Sequence, residues 1–386
     1  MKLFKRANVY APDPIGFKDV LISGGKIIAI EDEIGPLDEK VVEIIETKGQ
    51  ILVPGFIDSL VHITGGGGEG GYATRTPEME VQDAVIGGIT TVIGVLGTDS
   101  ITRSLENLLA KAHALEEEGI SVYCYTGSYH FPVVTITGSV TKDIMLIEKF
   151  IGVGEVAISD HRSSQLSAHE LARLTSETRI GGMLANKKGV VSIHVGDESG
   201  ELSLLHQVVE QSDIPITQFY PTHINRNRSL LIAGIEYAKR GGFIDFTTST
   251  TEQFLAQGEI CAAQALSECL NAGISINQLT MSSDGNASLP FFDLKGNLVD
   301  LQVGRVTSLH QSMVKAVLQY GVSIEDSLAS ITKSPANILG LARKGQIEVN
   351  WDADINLLME DTLNVQAVYA KGKNLTQEFT ITENLR

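Results

Sequence analysis

Cysteine is scarce in this chain, and positive charge is in short supply. Three cysteines in 386 residues, Cys124, Cys261 and Cys269, are odd in number and lack metal-finger spacing, which fits reduced, mostly structural thiols in a cytoplasmic protein. Thirty Lys and Arg stand against 47 Asp and Glu, a formal net charge of −17. Nucleic acids and anionic membranes reward cationic surfaces, so neither is expected as a partner. No stretch approaches the roughly 20 apolar residues of a membrane span. The charged start Met1–Arg6 leads to Asn8-Val-Tyr-Ala-Pro-Asp13 and not to an apolar signal core. There is no internal repeat and no low-complexity tract. What remains, 43% hydrophobic residues and 38 glycines, describes a globular protein with one large core and room for a smaller domain.

Two rhythms divide the chain. Up to about residue 50 it reads as short strands, Asp19–Ser23, Lys26–Ile30 and Val41–Ile45, with Gly24-Gly25 as a hairpin turn. From residue 54 onward short apolar segments alternate with helix-length ones, the pattern of parallel β/α units. Eight candidate strands follow: Phe56–His62, Thr90–Leu96, Ser121–Tyr125, Glu155–Ser159, Val190–His194, Thr217–His223, Phe243–Thr247 and Leu279–Asp284. Eight is the number that a closed (β/α)8 TIM-like barrel requires. Thr76-Pro77-Glu78 predicts a helix start, and Gly87-Gly88 its stop. Long helices are expected at 308–320 and 323–332, then strands at 345–349, 351–358 and 365–371. The expected organisation is therefore a barrel over 54–341 and a small β-sandwich built from both termini, 1–53 plus 342–386.

Barrel enzymes carry their chemistry at the C-terminal ends of the strands. There the sequence places His62, Glu155, His194, His223 and Asp284, on the first, fourth, fifth, sixth and eighth candidates. Alone, each is weak evidence; jointly they make a convergent nitrogen and oxygen site suited to zinc or a similar divalent ion.

The segment Pro54-Gly-Phe-Ile-Asp-Ser-Leu-Val-His62 with Thr64-Gly-Gly-Gly-Gly-Glu69 resembles the first barrel strand of the metal-dependent amidohydrolases. Tyr129-His130 with Thr135–Val140, Ile158-Ser-Asp-His-Arg162, Pro221-Thr-His-Ile-Asn-Arg226 and Ser282–Ser288 narrow the resemblance to the isoaspartyl dipeptidases, which cleave β-aspartyl dipeptides. The motifs run in family order from about residue 50 to the C-terminus. This resemblance implies a zinc site of one or two ions, with His62 and Asp284 on one, His194 and His223 on the other, and a bridging carboxylate between them. Asp284 would take the proton from a metal-activated water and pass it to the leaving amine, while Tyr129 would donate to the developing oxyanion. Glu69 would pair with the substrate's α-amino group, and Arg162 and Arg226 would clamp a carboxylate. Thr98 and Ser288 would add hydrogen bonds, and Gly67 and Gly68 close backbone approach. A homo-oligomer is also implied.

Two departures from the family pattern stand out. Glu155 occupies the position of a carboxylated lysine, which it can replace as a bridging carboxylate. Leu60 stands where the family writes the first histidine of His-x-His and cannot ligate, which weakens the first metal position. Three outcomes are compatible with Leu60: a one-metal enzyme, a slow enzyme, or a non-catalytic ligand-binding homologue. A related amidohydrolase acting on a cyclic amide or an N-acyl amino acid is the other alternative.

Overall fold

The computed structural model describes residues 1–38, 40–292 and 298–378. All eight expected barrel strands are present: β1 Phe56–Val61, β2 Ile89–Gly94, β3 Ser121–Thr126, β4 Phe150–Ile158, β5 Val190–Val195, β6 Phe219–Thr222, β7 Ile244–Thr247 and β8 Leu279–Ser282. Strands β1 to β6 pair in sequence order as one parallel sheet, and β7 pairs with β8. Sparse backbone hydrogen bonds close the ring. Ile224 donates to the Asp245 carbonyl between β6 and β7. Between β8 and β1, Asp284 donates to the Leu60 carbonyl and His62 donates to the Gly285 carbonyl. Every residue of β1, β2, β4 and β5 is buried, as parallel strands covered on both faces require, so they lack the alternation of a surface strand even though Asp58, Glu155 and His194 are among them.

Two apolar clusters follow from this ring. The larger fills the space between strands and outer helices. The smaller packs Ile57, Leu60, Ile93, Val95, Tyr125 and Tyr220 with Ala336 and Leu339 of the helix Lys333–Leu339. Leu60 is therefore a core residue, 2% exposed. Burying such a side chain contributes roughly 1.5–3 kcal/mol.

A separate eight-stranded sheet gathers both ends of the chain. Lys2–Tyr10 pairs with Pro14–Ser23, Glu43–Glu46 and Gln50–Pro54, and the last of these pairs with Ile355–Met359. Phe4 and Tyr369 meet edge-to-face at 5.0 Å in its core. The final residues of the expected terminal unit, 379–386, lie outside the described residues.

Two local expectations are corrected. The first helix is Val81–Ile86, capped by Glu80 and Asp83 and not started at Thr76-Pro77. The Thr76 hydroxyl instead ties down the glycine loop, accepting from the Gly66 amide at 2.6 Å and donating to the Asn286 carbonyl at 2.5 Å. Residues 345–349 form no strand. Gly345 sits at φ +81°, where a Cβ would meet the Thr332 carbonyl, and Ile347 drops into the terminal sheet's core.

Candidate metal centre and its cavity

At the C-terminal mouth of the barrel, the strand ends bring five predicted groups together. Glu155 is at the centre and fully buried. Its Oε1 lies 3.4 Å from His62 Nε2, and its Oε2 lies 3.3 Å from His194 Nδ1 and 3.4 Å from His223 Nε2. Asp284 Oδ1 lies 3.2 Å from His62 Nε2. The backbone bends sharply to achieve this: His223 and Asp284 hold φ +67° and +52°, conformations that non-glycine residues adopt rarely and at functional sites.

Glu155, His194 and His223 offer ligand atoms within 4.8 Å of one another, a group that could hold a metal ion. Hydrogen bonds outside the cluster support two of its histidines. Asp160 Oδ2 lies 3.0 Å from His194 Nε2. A carboxylate only accepts, so Nε2 carries the proton and Nδ1 presents its lone pair inward. His223 Nδ1 bonds the Thr247 hydroxyl, which leaves Nε2 facing Glu155. His62 has no such support: its Nδ1 is buried without a partner, packed against Gly66 and Gly97. Glu155 Oε1 and Asp284 Oδ1 are likewise buried without a hydrogen bond.

The carboxylates and imidazoles of the cluster shift one another's protonation. Burial would raise Glu155 and Asp284, yet both are held below the ordinary carboxylate range, Glu155 by the adjoining imidazoles of His194, His223 and His62, and Asp284 chiefly by His62. Burial would lower His62, but Asp284 and Glu155 outweigh it and push it up to about 10. Burial and the Arg226 charge lower His223 to about 4, so its ring is neutral and free to ligate at neutral pH.

A cavity of about 750 Å³ opens above this cluster. Tyr129 is on its wall, with its hydroxyl 2.7 Å from His194 Nδ1 and the Arg162 guanidinium 5.5 Å from its ring centre. Burial, then the Glu155 charge, raises Tyr129 well above an ordinary phenol, so it keeps its proton. Glu69 accepts from Thr98 at 3.1 Å and Ser288 at 3.2 Å, and it lies 3.5 Å from Arg162. Arg226 reaches to 3.5 Å from His194 Nε2, and its own Nε is buried without a partner. Gly67 lines the cavity, whereas Gly68 is not among the residues that do. Glycine at 65 and 67 is required because a Cβ there would strike the Thr76 and Thr74 carbonyls. Arg103, buried inside this loop, donates to the carbonyls of Gly66 and Thr76 at 3.1 and 2.9 Å.

Asp160, Asn225, Thr247 and Arg103 are among the residues of the cavity wall that had no sequence-based role. Asp160 stands in the run Ser159-Asp-His-Arg162, where an acid two residues before the arginine expected to clamp a carboxylate was the available signal. It holds Arg162 through Nε at 3.0 Å and Nη2 at 2.7 Å while also bonding His194.

The amidohydrolase family model matches residues 51–375. A β-aspartyl dipeptidase from Fervidobacterium islandicum AW-1, solved with a β-Asp-Leu dipeptide, is 44% identical and superposes with a TM-score of 0.90 over 97% of this chain and 96% of that one. Among curated proteins, a dihydroorotase of Elusimicrobium minutum is 24% identical over 96% of this chain and 90% of its own length. An allantoinase of Bacillus velezensis is 23% identical over 93% and 86%.

Proposed function

The chain belongs to the amidohydrolase family, and within that family we propose that it is a metal-dependent hydrolase of β-aspartyl dipeptides. The observation that carries this reading is the charge layout of the cavity. Among the charged groups that line the space above the Glu155/His194/His223 cluster, the Glu69 carboxylate lies 3.5 Å from the Arg162 guanidinium, and the Arg226 guanidinium lines the same cavity. A dipeptide bonded through the aspartate side chain has a free α-ammonium and a free α-carboxylate on the same residue. That matches an anion and a cation clamp set side by side. A cyclic-amide substrate, the alternative that the sequence leaves open, has no need of both.

In this reading Glu155, His194 and His223 hold one divalent ion, for which zinc suits the imidazole and carboxylate donors. Such an ion, when bound, supplies Lewis acidity that brings a water pKa to about 7. Asp284 takes the proton of the attacking water and delivers it to the leaving amine. Tyr129 donates its hydroxyl hydrogen to the oxygen that gains charge as the amide carbon becomes tetrahedral. Glu69, with Thr98 and Ser288, orients the α-ammonium, while Arg162 and Arg226 fix the carboxylate. His62 and Asp284 offer a second position, but Leu60 leaves it a single, unsupported imidazole.

The test is hydrolysis of β-aspartyl-leucine with zinc by this chain and by Leu60→His, with bound metal measured in both. The expected result is cleavage by the unaltered chain with about one tightly held ion, rising to about two in the variant. If neither form cleaves the dipeptide, the reading fails. A second measurement isolates the support of His194. Asp160→Asn is expected to weaken zinc affinity about 10–100-fold in competition with a chelating indicator. Unchanged affinity would mean that Asp160 serves Arg162 alone.

A further inference from the structure

Glu259 is a charged residue on the cavity wall that the proposed reaction leaves unused. Its Oε1 is buried without a hydrogen-bond partner, although Thr250 bonds the carboxyl, and no ion pair engages it among the described residues. Burial raises its carboxyl above the ordinary value, against the Thr250 hydrogen bond and the Arg226 charge, which lower it. Phe254, Leu289 and Pro290 line the same cavity as an apolar wall.

The position of Glu259 is not accidental to the fold. Ile260 donates to the Asn225 carbonyl at 2.9 Å, and Asn225 Nδ2 donates back to the Ile260 carbonyl at 2.8 Å. Asn225 also exchanges hydrogen bonds with Thr247 at 2.8 and 3.0 Å. Glu259 and Arg226 each sit one residue from this knot, so their spacing is fixed. Both carry a buried, unpartnered polar atom, an acceptor at Glu259 and a donor at Arg226.

Resting on the β-aspartyl reading above, we propose that Glu259 sets the second residue of the dipeptide and selects a cationic side chain, lysine or arginine. The α-ammonium already has Glu69, which Thr98 and Ser288 orient. A lysine or arginine stem lies along apolar surface while its charged head reaches a polar group, and the wall of Phe254, Leu289 and Pro290 beside one carboxylate suits both parts. At about 750 Å³ the cavity is in the upper part of the roughly 300–1,000 Å³ range of small-molecule sites, with room for a long side chain. An acidic second residue would face Glu259 as a like charge and be rejected.

The experiment compares kcat/KM for β-Asp-Lys, β-Asp-Leu and β-Asp-Glu in the zinc-supplied full chain, in Glu259→Gln and in Glu259→Lys. The lysine dipeptide is expected to exceed the glutamate dipeptide by at least about tenfold, and that ratio should narrow as salt screens the contact. Glu259→Gln should bring the ratio within about threefold, and Glu259→Lys should invert it. A ratio that neither variant moves overturns the inference. So does an equal loss on all three substrates, which would place Glu259 on the shared α-ammonium. If the unaltered chain cleaves none of the three, the β-aspartyl reading itself fails and this inference falls with it.

Discussion

Replacing His223 by alanine is expected to lower β-aspartyl-leucine hydrolysis by at least about a thousandfold, roughly 4 kcal/mol of transition-state stabilisation. The bound zinc should fall at the same time from about one ion per chain to a small fraction of one. The size of the effect follows from how few ligands there are. Among the described residues, Glu155, His194 and His223 are the group whose donor atoms converge within 4.8 Å. Two remaining donors cannot hold an ion that takes at least three protein ligands in a catalytic site. His223 is also the histidine that burial keeps neutral, with a pKa of about 4, so no protonation competes with its metal binding around pH 7. Alanine at a φ of +67° costs some stability as well. The chelator-treated unaltered chain is therefore the reference: its Tm and that of the variant should differ by only a few degrees. Activity within tenfold of the unaltered chain, with metal retained, would remove His223 from the centre.

Tyr129→Phe is expected to reduce kcat by about 10²–10³-fold while KM moves only a few-fold. A hydroxyl aimed at an oxygen that gains charge during reaction stabilises the transition state more than the substrate, and single donors of this kind are worth that much. The Tyr129 hydroxyl is held within the cluster, 2.7 Å from His194 Nδ1, and burial keeps it protonated well beyond the normal phenol range. The pH profile of the unaltered enzyme should therefore show no alkaline limb from Tyr129 up to at least about pH 10. A large rise in KM with kcat intact would make Tyr129 a binding group only.

Much of this site was legible because a parallel barrel converts sequence position into location. A residue at the end of any strand arrives at the same mouth, so His62, Glu155, His194, His223 and Asp284 could be gathered without coordinates. Glu155 lies well inside β4 rather than at its last residue, and the convergence tolerated that. Residues acting through the chain's return path were not legible. Asn225 works by binding Ile260, 35 positions away, and no local pattern announces such a pair. Thr76 read as a helix cap because Thr-Pro-Glu is a good one, but the glycine loop captured its hydroxyl first. At Gly345 the apolar alternation was real, yet the backbone there holds φ +81°, outside the range of a strand, and the adjoining Lys344 is buried against Asp352 and Asp354.

The sheet that joins the two ends of the chain also sets a clock. Gln50–Pro54 is complete early in synthesis, yet its neighbour Ile355–Met359 follows some 300 residues later. At about 5–20 residues per second a nascent chain carries that open strand edge for roughly 15–60 s. For that interval Leu52 and Val53, fully buried in the finished molecule, lack the strand that will pair with them. The terminal sheet is thus the last part able to close and the stretch most in need of protection on the ribosome.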